Sequence, residues 1–268
     1  MRQFYIDVKN GLISKSKAAP EPDTNKLLVK IIPWTDFSNI EILEKGVCGL
    51  KVCCIRVIYK NDTYIIKEMR KSFNYGRDYK FIDSLKTEFG IRDLGMKLIK
   101  SDVGLEIVDK SKRTLVGNWK LVPRKVIYCM MPEFDNIGYI GKHKYFLEEN
   151  SEIFMECLKI ILYDGLFRSS DNILRNILVN ENAQLMSIDE GDIYGKRQQI
   201  FNKNDWFKRP ENIDKTKEYV TIIIEEWDLI NKIKMVEFVM KKYGFKTKIE
   251  EMKDRFTNYG NIVLAELN

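Results

Sequence analysis

The sequence predicts an α+β protein in two parts, strand-rich first and helical second. Two observations carry this. Between about residues 27 and 135, short β-branched and aromatic runs recur between Gly, Pro and Asn-Asp breaks. From about residue 150 onward, apolar residues fall at three- and four-residue spacing, the period of a helix with one buried face. A chain of 268 residues can bury either one large core or two lobes. The expected division is a lead-in at 1–26, a first lobe at 27–134 and a second at 135–268.

In chain order, Pro20 and Pro22 mark the lead-in as irregular. LLVKII (27–32), KVCCIRVIYK (51–60), TYIIKEM (63–69) and KVIYCMM (125–131) read as strands, with Asn61-Asp62 as a tight hairpin turn between the middle two. Tyr79, Ile82, Leu85 and Phe89 predict one helix inserted among them, ending at Gly90. Ser151 is expected to cap a helix whose apolar face holds Ile153, Phe154, Cys157, Leu158, Ile161 and Leu162. Ile177 to Val179 and Leu185 to Ile188 read as two short strands around Asn180-Glu181-Asn182. A long helix is expected at about 214–243 and a last one at about 247–257.

Composition narrows the function classes. Apolar residues are 44% and charged residues 31%, with a formal charge of +6 spread along the chain. No basic stripe with interleaved aromatics stands out, so nucleic acid is not an expected partner. No apolar run reaches the roughly 18 residues of a membrane span, and the N-terminal residues lack the apolar core of a secretory signal. One histidine, His143, and five cysteines without a CxxC pair argue against zinc. Cys48, Cys53, Cys54, Cys129 and Cys157 are expected as buried thiols, in keeping with an intracellular, cytoplasmic protein. Oligomeric state is left open.

The segment FRSSDNILRNILVNENAQLMSIDEG (167–191) carries the chemistry. Asp171 is followed five residues later by Asn176, and thirteen after that by Asp189, then Glu190 and Gly191. Phosphoryl transfer needs an oriented acceptor and divalent ions bridging phosphate oxygens. An Asn carbonyl and an Asp carboxylate at two sides of a hairpin offer the hard oxygens magnesium takes. A second Asp near the acceptor can receive its proton.

Asp171-x4-Asn176-x12-Asp189 resembles the catalytic loop and metal-binding segment of the protein-kinase-like superfamily. The resemblance spans about residues 40–195 and implies a two-lobed fold, with a strand-rich N-lobe and a helical C-lobe, that binds ATP with Mg²⁺ or Mn²⁺. It assigns the catalytic base to Asp171 and the metal ligands to Asn176 and Asp189. Lys67, in the strand TYIIKEM, is similar to the lysine that contacts the α- and β-phosphates; an ammonium inside an apolar strand needs an anion. Glu88 resembles the glutamate that pairs with that lysine, with Asp83 as its rival. Gly46 and Gly49 lie where the glycine-rich phosphate loop belongs. Met131 and Glu133 lie at the interlobe hinge, whose backbone groups would read adenine, and Arg175 is placed to contact the γ-phosphate.

Several positions depart from ordinary protein kinases. Ser169-Ser170 replaces the usual His-Arg, Ile173 replaces the loop lysine, and Asp189-Glu190-Gly191 replaces Asp-Phe-Gly. No Ala-Pro-Glu follows. The chain looks more like the atypical branches: phosphoinositide-type, actin-fragmin-kinase-type and HipA-type. The expected activity is phosphoryl transfer to a hydroxyl, a protein Ser or Thr ahead of a lipid or small molecule. The alternatives are an inactive scaffold of the same fold and nucleotidyl transfer.

Overall fold

The structure, a computed structural model, describes residues 29–43, 54–69, 73–107, 119–167, 174–188, 193–194, 199–201 and 204–268. The first part of the chain builds a six-stranded sheet. Its strands are β1 (Lys30–Ile31), β2 (Ser38–Leu43), β3 (Cys54–Tyr59), β4 (Asp62–Glu68), β5 (Lys97–Ile107) and β6 (Trp119–Pro132). They lie in the order β1-β5-β6-β4-β3-β2. The β1–β5 pair is parallel and the other pairs are antiparallel. One helix, α1 (Phe73–Asp83), is inserted between β4 and β5.

Alternation along β3, β4 and β6 gives the sheet two apolar faces. Ile55, Val57, Tyr64, Ile66, Tyr128 and Met130 pack on one side with Ile32 and Phe37. On the other, Cys129 and Leu98 pack with Leu94, Met96 and Tyr79 of α1. The β3–β4 hairpin turns one residue earlier than the sequence implies. Tyr59 opposes Asp62, so the turn is Lys60-Asn61, with φ of 53° and 71°. Two successive positive φ values match the twist of the flanking strands, and Asn tolerates them well.

The second part holds a small sheet, β7 (Gly138–Tyr139), β8 (Ile177–Val179) and β9 (Leu185–Ser187), in that order. Its helices are α2 (Tyr145–Glu149), α3 (Ser151–Leu166), α4 (Ile213–Trp227), α5 (Leu229–Lys242) and α6 (Ile249–Leu267). Asn150, and not Ser151, caps α3: its side chain accepts from the N–H groups of Glu152 and Ile153. The single long helix expected at 214–243 is two helices, because Asp228 adopts a left-handed conformation, φ 44°. The last helix runs ten residues further than expected, to Leu267.

The helix expected to continue through Phe89 stops at Asp83, and a 3₁₀ turn, Lys86–Phe89, follows. That turn belongs to the helical lobe. Phe81, Ile82, Leu85, Phe89 and Ile91 share a core with α3, α4 and α6. The Tyr163 hydroxyl donates to Ile82 O at 2.5 Å, and Trp227 Nε1–H donates to Phe89 O at 3.0 Å. Cys54, Cys129 and Cys157 are buried free thiols, and burial pushes the Cys157 thiol far up; Cys48 and Cys53 lie outside the described residues. Among the described residues, no helix is long and apolar enough to cross a membrane.

Candidate active site

Lys67 stands on the fourth strand, paired with Cys54 on β3 and Cys129 on β6, so it is flanked on both sides. Alternation turns it away from the face that holds Tyr64, Ile66 and Glu68. It is half-buried, and its ammonium lies 5.8 Å from the centroid of the Tyr79 ring. Its neighbour Glu68, 1% exposed, points the other way. There the carboxylate accepts from Leu105 N and Arg124 Nη2, both at 2.7 Å, which ties β4 to the β5–β6 ribbon.

Tyr79 packs in one apolar cluster with Leu98 and Cys129 of the sheet and with Met131, Met186 and Ile188 at its margin. Met131 ends the sheet side, while Met186 and Ile188 come from the hairpin of the helical lobe. This cluster therefore bridges the lobes beside Lys67.

Neither carboxylate proposed to pair with Lys67 does so. Glu88 is exposed on the 3₁₀ turn, beyond the end of α1, and makes no ion pair among the described residues. The cause is the docking of Phe89 against Trp227, which carries the turn toward the helical lobe. Asp83 is buried, and its two oxygens accept from Leu94 N at 2.6 Å and Met96 N at 3.1 Å. It closes the loop after α1.

At the hinge, Met131 opposes Ile65 and lies half-buried against the interlobe cluster. Glu133 is committed elsewhere. Its N–H donates to Thr63 O at 3.0 Å, and its carboxylate binds Arg56 at 2.7 Å. The Arg56 guanidinium also binds Glu41 at 2.6 Å; the hydrogen bonds it donates to Glu133 and then to Glu41 hold its pKa above the usual range. The Glu133 N–H is thus not offered to a base. A cavity of about 530 Å³ beside it is lined by Asp62, Thr63, Tyr64, Pro132, Glu133 and Asp135. Three carboxylates repel phosphate, so that cavity does not suit a triphosphate.

Asn176 ends the 3₁₀ turn Leu174–Asn176 that leads into β8. Its carbonyl accepts the N–H of Ile188 at 2.8 Å, so the residue preceding Asp189 in sequence is bonded to the proposed partner ligand. The start of the turn is held by Asn204, 1% exposed, whose Oδ1 accepts from Leu174 N at 3.2 Å. Asn204 was not foreseen, because nothing in FNKND separates a loop asparagine from a buried one. Upstream, Arg255 of α6 donates from Nε and Nη2 to the carbonyls of Gly165 and Leu166, at 2.7–3.2 Å. Glu266, further along α6, accepts from Ile200 N and Phe201 N.

Gly46, Gly49, Asp171 and Asp189 lie outside the described residues, as does the side chain of Arg175. Among the described residues, no three His, Cys, Asp or Glu converge on a metal position. The expected donor set, an amide oxygen from Asn176 with the Asp189 carboxylate, is all hard oxygen and fits magnesium or manganese. The apolar margin of Met131, Met186 and Ile188 beside a lysine fits a flat base joined to phosphates.

A sheet with one inserted helix, a hinge after the last strand, and a helix–turn–hairpin opening a helical lobe compose a two-lobed α+β architecture. A strand-rich first part and a helical second part are what the sequence predicts. No protein-family model matches the chain, and no curated protein matches it. Among solved structures, it is similar to the crystal structure of the Helicobacter pylori proinflammatory kinase CtkA. The identity is 12% and the TM-score 0.45, over 88% of this chain and 96% of that one.

Proposed function

We propose that this protein is an ATP- and magnesium-dependent phosphotransferase acting on a hydroxyl, with a protein Ser or Thr as the first acceptor to test. One observation carries the reading. Lys67, from the middle of the sheet, and the Asn176–Ile188 end of the hairpin approach a single cluster bridging the lobes, through Tyr79 and Ile188. That a strand lysine and the hairpin end bearing Asn176 meet at one apolar margin supports the reading.

In this reading Lys67 binds the α- and β-phosphates, and Gly46 and Gly49 cover them with backbone N–H groups. Met131 bounds the adenine. Asn176 and Asp189 hold magnesium, which neutralises charge on the transferred phosphoryl group when bound. Asp171 orients the acceptor hydroxyl and takes its proton, and Arg175 contacts the γ-phosphate. No glutamate partner for Lys67 is assigned, since Glu88 and Asp83 are both placed elsewhere.

Incubation with γ-labelled ATP, alone and with cell proteins or lipid vesicles, tests the activity and separates the acceptor classes. Transfer of the nucleotidyl group would appear in the product mass. For the metal, Asn176→Ala or Asp189→Ala is expected to abolish the strengthening of ATP binding by Mg²⁺ while metal-free binding persists. An Asp189→Ala protein whose ATP affinity follows magnesium as the unaltered protein does removes that ligand from the assignment. Magnesium-dependent ATP binding without transfer to any acceptor would favour the scaffold alternative.

A further inference from the structure

Lys86 is 0% exposed. Lysine is almost never buried so completely unless its ammonium is paired. It opens the 3₁₀ turn Lys86–Phe89, whose backbone is fixed at both ends. Ile91 N–H donates to Lys86 O at 3.0 Å, and Trp227 holds Phe89 O. Leu85 and Phe89 beside it belong to the helical lobe's core, where a leucine would be buried without desolvating a charge.

The amine is directed at the hairpin. Its Nζ donates to the carbonyl of Ser187, the last residue of β9, at 3.5 Å. The Ser187 hydroxyl is also buried and makes no hydrogen bond among the described residues; the contact is to the main-chain carbonyl. Ser187 opposes Ile177, and the next residue, Ile188, donates to Asn176 O. One buried amine thus reaches from the connection after α1 to the strand end that bonds Asn176 and continues into Asp189.

We propose that Lys86 is a positioning residue for the metal-binding end of this hairpin, an inference that rests on the phosphotransferase reading above. By holding the Ser187 carbonyl, Lys86 fixes the strand end whose next residue, Ile188, bonds Asn176, and so the position of Asn176. Its role is to orient a ligand-bearing strand end, as the outer partner of a ligand set does.

The test is a magnesium titration of ATP binding, run beside circular dichroism, on the unaltered protein, Lys86→Met and Lys86→Gln. Removing an outer partner typically weakens metal binding by about 10–100-fold. Lys86→Met is expected to need about tenfold more Mg²⁺ for half its effect, at the lower end of that range, with metal-free ATP affinity unchanged. Lys86→Gln, which keeps a donor, is expected to fall between the two. A folded Lys86→Met protein with the original magnesium response overturns the proposal, and so does an equal loss of metal-free ATP affinity, which would mark a purely structural role. If Lys86→Met does not fold, the Gln variant decides: a shifted response supports the proposal and an unshifted one overturns it. ATP binding by the unaltered protein that ignores magnesium overturns the phosphotransferase reading itself, and this inference with it.

Discussion

Replacing Asp171 by Asn is expected to slow phosphoryl transfer by about 10²–10⁴-fold, the usual contribution of a positioned general base. ATP affinity should stay nearly unchanged. The substitution keeps the shape of the side chain and removes its charge and its ability to accept a proton. A group that acts in the transition state and not on bound nucleotide lowers kcat without altering ground-state affinity. The described residues on either side of the segment that holds Asp171 are anchored. Before it, Arg255 holds the carbonyls of Gly165 and Leu166; after it, Asn204 holds the N–H of Leu174. The measurement pairs single-turnover transfer from γ-labelled ATP with equilibrium ATP binding. A rate within about twofold of the original, set against the scale expected for a general base, would show that the base lies elsewhere.

Replacing Trp227 by Ala is expected to destabilise the protein by about 3–5 kcal/mol, as for other buried aromatic truncations. Trp227 is 1% exposed and sets its ring at 89° to that of Phe89, with centroids 5.2 Å apart. Its indole N–H is bonded to Phe89 O, so truncation leaves a cavity and unpairs a buried carbonyl. Trp227→Phe keeps most of the ring and loses the donor, and should cost about 1–3 kcal/mol. Denaturant midpoints followed by circular dichroism and by fluorescence check both values. An unchanged midpoint for Trp227→Ala would mean that the 3₁₀ turn draws little stability from α4.

How much of this was legible depended on whether local pattern or distant packing decides each element. β3, β4 and β6 alternate β-branched and apolar residues, and all three were found from that pattern. β2 and β5 were missed. In KLIKSDVGLEI, Lys97, Lys100, Asp102 and Gly104 break any alternation, and the segment is extended because β6 pairs along its length. The break at Asp228 had no local signal either, since neither Gly nor Pro is present and Trp227 is held by a turn formed from much earlier residues. In the candidate site, the strand that carries Lys67 and the hairpin that follows Asn176 were legible because their patterns are local. The pairing of Glu88 followed from the resemblance and from its place on the one helix expected there, and local pattern does not show that this helix ends at Asp83. Lys86 read as one basic residue among many. Its burial arises from contact with Ser187, 101 residues away.

The bond between Trp227 and Phe89 also sets an order of events while the chain is being made. The two residues are 138 positions apart, so Phe89 is synthesised well before its cover exists. At about 5–20 residues per second, the interval is roughly 7–28 s. Through it, the nascent chain carries Phe81, Leu85 and Phe89 without α4 or α6 to enclose them. A ribosome-bound chain arrested before residue 213 should therefore hold a chaperone that recognises apolar segments, and release it once α4 has emerged. Equal chaperone retention on both lengths of chain would argue that the first lobe shelters the turn by itself until its partner arrives.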